Sequence, residues 1–197
     1  RISSTNTSEM EFFHNYPVSA SAMPIQTLTI SNLAGTLTDS VTFGNNPYAS
    51  DSQDGFWDVT KGNPTETYVW TAFWQQYWGN QGTSLLREIK GGYDVDSQVK
   101  TWVLRTRSDQ LEQLSIQATG TFGRAEKLWL QDGATFHNLL SGPYSYSNAN
   151  SNVRTFNLYW GNMQPRATVA SMQNRILQGG NMVSFSWNYT YSFLIDH

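Results

Sequence analysis

Residues 183–195 read VSFSWNYTYSFLI, and their alternation is the clearest structural signal in the chain. Val183, Phe185, Trp187, Tyr189, Tyr191, Phe193 and Ile195 occupy one parity. Ser184, Ser186, Asn188, Thr190, Ser192 and Leu194 occupy the other. Period two means a β-strand with an aromatic face and a small polar face. Thirteen residues at about 3.3 Å each give a strand of about 43 Å, well beyond the usual ~17–20 Å. Its aromatic face must be covered, and its edges need partners or they become sticky. A closed barrel, or a sheet continued by a neighbouring subunit, meets both demands.

Working back from this strand, period two recurs at Ile25–Ile30, Val41–Phe43, Gln98–Thr106, Leu114–Phe122 and Val153–Trp160, with a shorter strand at Phe56–Thr60. Lys127–Leu140 reads as a hairpin turning at Asp132-Gly133. Residues 44–55 and 141–152, rich in Gly, Asn, Ser and Asp or Tyr, read as surface loops. One stretch breaks the pattern. Asn63 suits an N-cap, Pro64 the first helical position and Glu66 the capping-box acid, while Val69, Trp70, Phe73, Trp74, Tyr77 and Trp78 fall at helical spacing before Gly79. This predicts an amphipathic helix over about 64–78. A second short helix is expected at Ser84–Lys90, and 165–178 is ambiguous, since Val169, Met172, Ile176 and Leu177 allow a helix. The expected fold is mainly β with α+β character, an antiparallel β-sandwich or barrel with one packed helix, in a single domain over 1–197.

Composition narrows function by exclusion. The 197 residues carry Lys+Arg 12 against Asp+Glu 15, a net charge of -3. So few cations argue against nucleic-acid binding driven by phosphate neutralisation, and no sequence-specific nucleic-acid binding is expected. No apolar run is long enough for a membrane-spanning helix. The absence of cysteine removes disulfides, thiolate nucleophiles and sulfur-bound zinc. Arg1 in place of methionine leads us to expect residues upstream, removed by processing or lying outside this sequence.

Catalytic signatures are missing. His14, His137 and His197 lack ligand spacing, and no nucleophile elbow, phosphate loop or dinucleotide fingerprint is present. The carboxylate pairs Glu9/Glu11, Asp51/Asp54 and Asp94/Asp96 are the only candidates for glycoside hydrolysis, and Asp94-x-Asp96 for a weak calcium loop. We expect no catalytic residue, metal or cofactor. Tyr48, Tyr144 and Tyr146, in loop sequence, are candidates for stacking on sugar rings. The sequons Asn6-Thr7-Ser8 and Asn188-Tyr189-Thr190 are weak, the second lying inside the long strand. A Trp-rich surface seated at a membrane interface would call for basic residues, which are sparse.

The stretch FWDVTKGNPTETYVWTAFWQQYWGNQG, through Trp57, Val59, Thr60, Asn63 and Phe73, resembles the central strand–helix unit of contractile-tail tube proteins of bacteriophages. NMVSFSWNYTYSFLID, through Val183 to Phe193, is similar to the long terminal strand of that family. The resemblance implies a non-enzymatic virion subunit that joins copies of itself and other particle proteins. Strands of six subunits would form a continuous barrel around a channel. Val183, Phe185, Trp187, Tyr189, Tyr191 and Phe193 would then form the assembly face, and Ser184, Ser186, Asn188, Thr190 and Ser192 a wetted or lumenal face. The alternative is an extracellular glycan-binding β-sandwich using Tyr48, Tyr144 and Tyr146. A small glycosidase and a membrane-active toxin stand behind these two.

Overall fold

The computed structural model describes residues 25–64, 68–78, 81–92, 99–123, 126–149, 152–176 and 183–195, with the backbone path alone for 163–176 and 183–195. Among the described residues the regular structure is all strand: β1 (Ile25–Asn32), β2 (Thr38–Asn46), β3 (Val59–Thr60), β4 (Val69–Trp78), β5 (Gln81–Gly91), β6 (Lys100–Ser108), β7 (Gln113–Thr119), β8 (Lys127–Asp132), β9 (Thr135–Asn138), β10 (Tyr144–Ser147), β11 (Arg154–Gly161), β12 (Met163–Ile176) and β13 (Val183–Ile195). Eleven of them form one nearly closed, barrel-like sheet in the order β10-β7-β1-β2-β5-β4-β6-β11-β8-β9, with β3 added beside β5. β12 and β13 form a sheet of their own.

Alternation builds the core. Leu28 and Ile30 of β1, Trp102 and Leu104 of β6, Leu114 and Ile116 of β7, and Phe156 and Leu158 of β11 all point inward and are buried. Phe43 of β2 lies at the centre of an aromatic cluster. Its ring meets Phe73, Trp102 and Trp160 edge-on at centroid distances of 5.9, 5.2 and 5.8 Å, a favoured geometry for aromatic quadrupoles.

The helix expected over 64–78 is replaced by β4, and that expected at Ser84–Lys90 by β5. From Val69 to Gln75 β4 is covered on both faces, so apolar residues fall on both and imitate helical spacing. Val69, Thr71, Phe73 and Gln75 face the interior. On the outer face Trp70 donates its indole N–H to the Gly62 carbonyl at 3.2 Å, and the Trp74 ring lies 3.6 Å under the Arg105 guanidinium. Thr71 and Gln75, although polar, share the Phe73 face. Gln75 is accommodated there because its Nε2 donates to the Asp51 carbonyl at 3.2 Å.

β5 makes the corner of the barrel. Leu85 pairs with Phe73 of β4 and Thr60 of β3, while Arg87 pairs with Thr42 of β2 and Val59 of β3. β4 and β2 therefore lie along the same side of β5, which passes from an antiparallel ladder with one to a parallel ladder with the other. Where β2 and β4 part, Asp39 fills the gap. It accepts the Thr71 amide at 2.7 Å and the Lys61 ammonium at 2.6 Å.

Other boundaries shift for local reasons. β2 continues through Asn46, so the loop expected from residue 44 starts at 47, and the strand expected from Phe56 is confined to Val59–Thr60. The stretch 141–152 contributes β10, which pairs with β7. The Asp132-Gly133 turn forms as expected, with Gly133 at φ 58, a conformation glycine adopts without steric cost.

Phe43→Ala is expected to lower the unfolding free energy by about 3–5 kcal/mol, the usual cost of a cavity that large in a packed core. A urea titration followed by tryptophan fluorescence checks it, since Trp102 and Trp160 border the site.

Candidate assembly surface

Residues 165–178, read as ambiguous with a helical option, lie largely within β12, which pairs antiparallel with β13 over its whole length. The cause of the ambiguity is a β-bulge. Val169 pairs with Tyr189 and Ser171 with Asn188, which leaves Ala170 as an extra residue on β12. Before the bulge the apolar residues of β12 are odd-numbered, and after it they are even-numbered. The one-residue change of phase gives the spacing of Val169, Met172 and Ile176 that imitates a helix.

With the bulge included, the register sorts the hairpin into two faces. Val183, Phe185, Trp187, Tyr189, Tyr191, Phe193 and Ile195 stand opposite Ile176, Asn174, Met172, Val169, Ala167, Pro165 and Met163. Ser184, Ser186, Asn188, Thr190 and Ser192 stand opposite Arg175, Gln173, Ser171, Thr168 and Arg166. Both predicted sets therefore share one strand, on opposite faces, as the alternation required. Asn162 alone separates the end of β11 from the start of β12, so the hairpin continues directly from the barrel wall. Among the described residues neither strand pairs with the eleven-stranded sheet. A two-stranded hairpin is marginally stable alone in water, and this one places its apolar residues, interrupted by Asn174, on one face.

The three candidate sugar-stacking residues are not brought together as a platform. Tyr146 is 5% exposed and belongs to the core, its hydroxyl 2.5 Å from the Thr106 hydroxyl. Tyr144 is half-buried beside it and donates to Asp132 at 2.6 Å. Burial pushes the pKa of both phenols up to about 12. They close the seam between β9 and β10, the ends of the large sheet, together with the Arg154–Asp132 ion pair and a 3.0 Å contact from His137 Nε2 to the Gly142 carbonyl. Only Tyr48, at 54%, is exposed. It sits on the 47–58 loop with Phe56, also exposed, and Trp57. The Trp57 indole N–H donates to the Tyr48 carbonyl at 3.2 Å, and the Phe56 and Trp57 rings meet edge-on at 4.8 Å. Sequence reading assigned Phe56 and Trp57 to a strand; the adjacent run of Ser, Gln, Asp and Gly was the signal that they belong to the loop.

The Asp51/Asp54 pair serves as loop scaffold. Asp54 accepts the amides of Trp57 and Ser50 at 2.9 and 3.1 Å. Asp51 receives the Gly91 amide at 3.0 Å and the Lys100 ammonium at 3.2 Å, while its carbonyl takes Gln75 and Lys90. Lys90 also pairs with Glu88 at 2.7 Å. Glu88 is 2% exposed, and its Oε2, the Gln75 Oε1 and both amide atoms of Asn45 have no protein hydrogen-bond partner. Burial raises the Glu88 pKa, and the nearby Lys90 only partly opposes it, with Asp58 and Asp51 adding to the rise. Among the described residues no three His, Asp or Glu side chains converge on a metal position. Glu9, Glu11, His14, Asp94, Asp96, His197 and the Asn6 sequon lie outside the described residues.

Because the folded-state pKa of Glu88 is raised, the native protein holds its proton at pH values where the unfolded chain has released it. Stability from this group is full below the ordinary value of 4.5 and is lost as pH rises through the raised one. Wild type is therefore expected to lose stability relative to Glu88→Gln between acidic and neutral pH, as read from urea midpoints across that range. Alkaline titration at 295 nm is expected to show two tyrosines ionising near 12, and Tyr144→Phe and Tyr146→Phe should each remove one.

No protein-family model, curated protein or solved structure significantly matches the chain.

Proposed function

We propose that this protein is a non-enzymatic structural subunit of a self-assembling particle, a phage tail tube or related virion component, whose copies join through the β12–β13 hairpin. The observation that carries the reading is the hairpin itself. Its thirteen-pair ladder stands apart from the barrel, with one apolar face and, among the described residues, no strand on either outer edge. Backbone groups on such an edge form a template for another strand. Addition of hairpins from neighbouring copies would pair those groups and merge the apolar faces into a surface that other parts of the particle cover. Ser184, Ser186, Asn188, Thr190 and Ser192 would then form the wetted face.

The distribution of aromatic residues favours cover by protein over cover by lipid. Membrane barrels carry aromatic girdles at the two ends of their strands. Here the aromatic residues Phe185, Trp187, Tyr189, Tyr191 and Phe193 run along one face of β13 instead of being confined to its two ends. Among the described residues no helix is long and apolar enough to cross a membrane.

A second reading, an extracellular glycan-binding β-sandwich, draws on the exposed Tyr48 and Phe56 beside Trp57. It predicts a monomer or small oligomer whose tryptophan fluorescence responds to added sugars.

Light scattering with electron micrographs of the same sample separates the two. Rings, tubes or other ordered multimers are expected. Trp187→Asp should reduce them to single subunits by placing a charge on the apolar face, and Ser186→Thr should leave them intact. A stable 22.3 kDa monomer, or ordered polymers from Trp187→Asp, would overturn the proposal.

A further inference from the structure

The inner face of the barrel turns polar at the C-terminal end of β5. Phe43 pairs with Glu88, and Asn45 with Lys90, in the parallel β2–β5 ladder, so these four side chains share the core-facing side. Gln75 of β4 joins them from the Phe73 face. The Asp51 carbonyl ties the group together. It accepts from Gln75 Nε2 at 3.2 Å and from Lys90 Nζ at 3.3 Å, and Lys90 Nζ lies 2.7 Å from Glu88 Oε1. The 47–58 loop closes the site from outside: Asp51 also receives the Gly91 amide and Lys100, and Asp58 receives the Ile89 amide at 3.0 Å. Asn45, Gln75 and Glu88 are only 3%, 8% and 2% exposed. Even so, Asn45 Oδ1 and Nδ2, Gln75 Oε1 and Glu88 Oε2 have no protein hydrogen-bond partner among the described residues. Unpaired polar atoms gathered in one buried place are costly unless something pairs them.

From this set of donors and acceptors we infer that the polar end of the barrel is a binding site for water: a cluster of buried water molecules bridges Asn45, Gln75 and Glu88 beneath the 47–58 loop. The inventory selects the ligand. Gln75 Oε1 and Asn45 Oδ1 only accept, Asn45 Nδ2 only donates, and Glu88 Oε2 accepts when ionised and can donate when protonated. A metal cation would serve the oxygens and leave the Nδ2 hydrogens unserved, and the Lys90 ammonium already supplies positive charge at Glu88. An anion would face the oxygens of Gln75 and Glu88. A neutral molecule that both donates and accepts meets every group, and water is the smallest. Buried waters make about three hydrogen bonds each to otherwise unpaired polar groups, so a cluster of them serves atoms on β2, β4 and β5 together. The site is independent of how copies join. Its bearing is on the 47–58 loop, because the Gln75 and Lys90 side chains that border the waters also hold the Asp51 carbonyl. The waters also solvate a carboxyl that burial otherwise drives toward its protonated form.

Magnetic relaxation dispersion of the solvent water detects internal waters that exchange more slowly than the protein tumbles, and it is read on the full chain. Asn45→Leu, similar in size, removes one donor group and one acceptor from the site. It is expected to lower the dispersion amplitude by at least the contribution of a single water molecule. The urea midpoint should fall with it, because the remaining waters lose partners. In a dry site the same substitution would remove an unpaired buried amide, so the amplitude would stay unchanged and the midpoint would rise. That result would overturn the inference, as would an unchanged amplitude at any midpoint. If Asn45→Leu fails to fold, crystals of the wild-type protein decide. Density for water within hydrogen-bond distance of Asn45, Gln75 and Glu88 is expected. Direct pairing of these side chains with one another, or a bound ion in place of water, would overturn the site.

Discussion

Every strand in a sheet must find partners for its backbone amides and carbonyls, and in this protein the way each strand does so governs the rest. The large sheet comes close to closing on itself, so that its two end strands, β9 and β10, are only four residues long. Side chains, and not a ladder, bridge the remaining seam: Tyr144 and Arg154 converge on Asp132. Tyr146 reaches across to Thr106 of β6. The same requirement acts differently on the last two strands. β12 and β13 leave the wall after β11 and pair only with each other among the described residues, which satisfies one edge of each.

The corner at β5 and the packing of the core are linked. Because β5 serves both β4 and β2, its inward side chains lie between two parts of the wall, and Phe43 of β2 can touch Phe73 of β4 as well as Trp102 and Trp160. Asp39 ties the diverging strands through a backbone amide and a lysine. Toward the C-terminal end of β5 the interior becomes polar, where Glu88 and Lys90 meet Asp51. Buried polar groups are expensive unless paired, so the carboxylates of the 47–58 loop hold that loop in place over the β5 terminus. The loop in turn presents Tyr48 and Phe56 outward beside Trp57.

Most of the strands were legible from alternation, because one-sided burial forces period two on the side chains. β1, β6, β7 and β11 lie close to where that period put them, and β13 coincides with it. The failures share a cause. From Val69 to Gln75 β4 is covered on both faces, by the core and by the Trp70 and Trp74 contacts outside, so apolar residues fall on both faces and the period of two is lost behind a helix-like start. β12 kept its alternation but changed phase at Ala170, and a reader without the partner strand sees irregular spacing. Of the candidate stacking residues, Tyr144 and Tyr146 looked like loop aromatics because Ser, Gly and Pro surround them. Pairing with β7 is a long-range event that local composition does not record.

The amino-acid sequence by itself determined that the chain is mainly β and that residues 183–195 form one long strand with an aromatic and a polar face. These follow from side-chain period and polarity, which are local properties. Only the tertiary structure decided that β4 is a strand, that Tyr146 is core, and that β13 pairs with β12 outside the large sheet. These depend on which segments, far apart in the chain, supply the second face and the second edge.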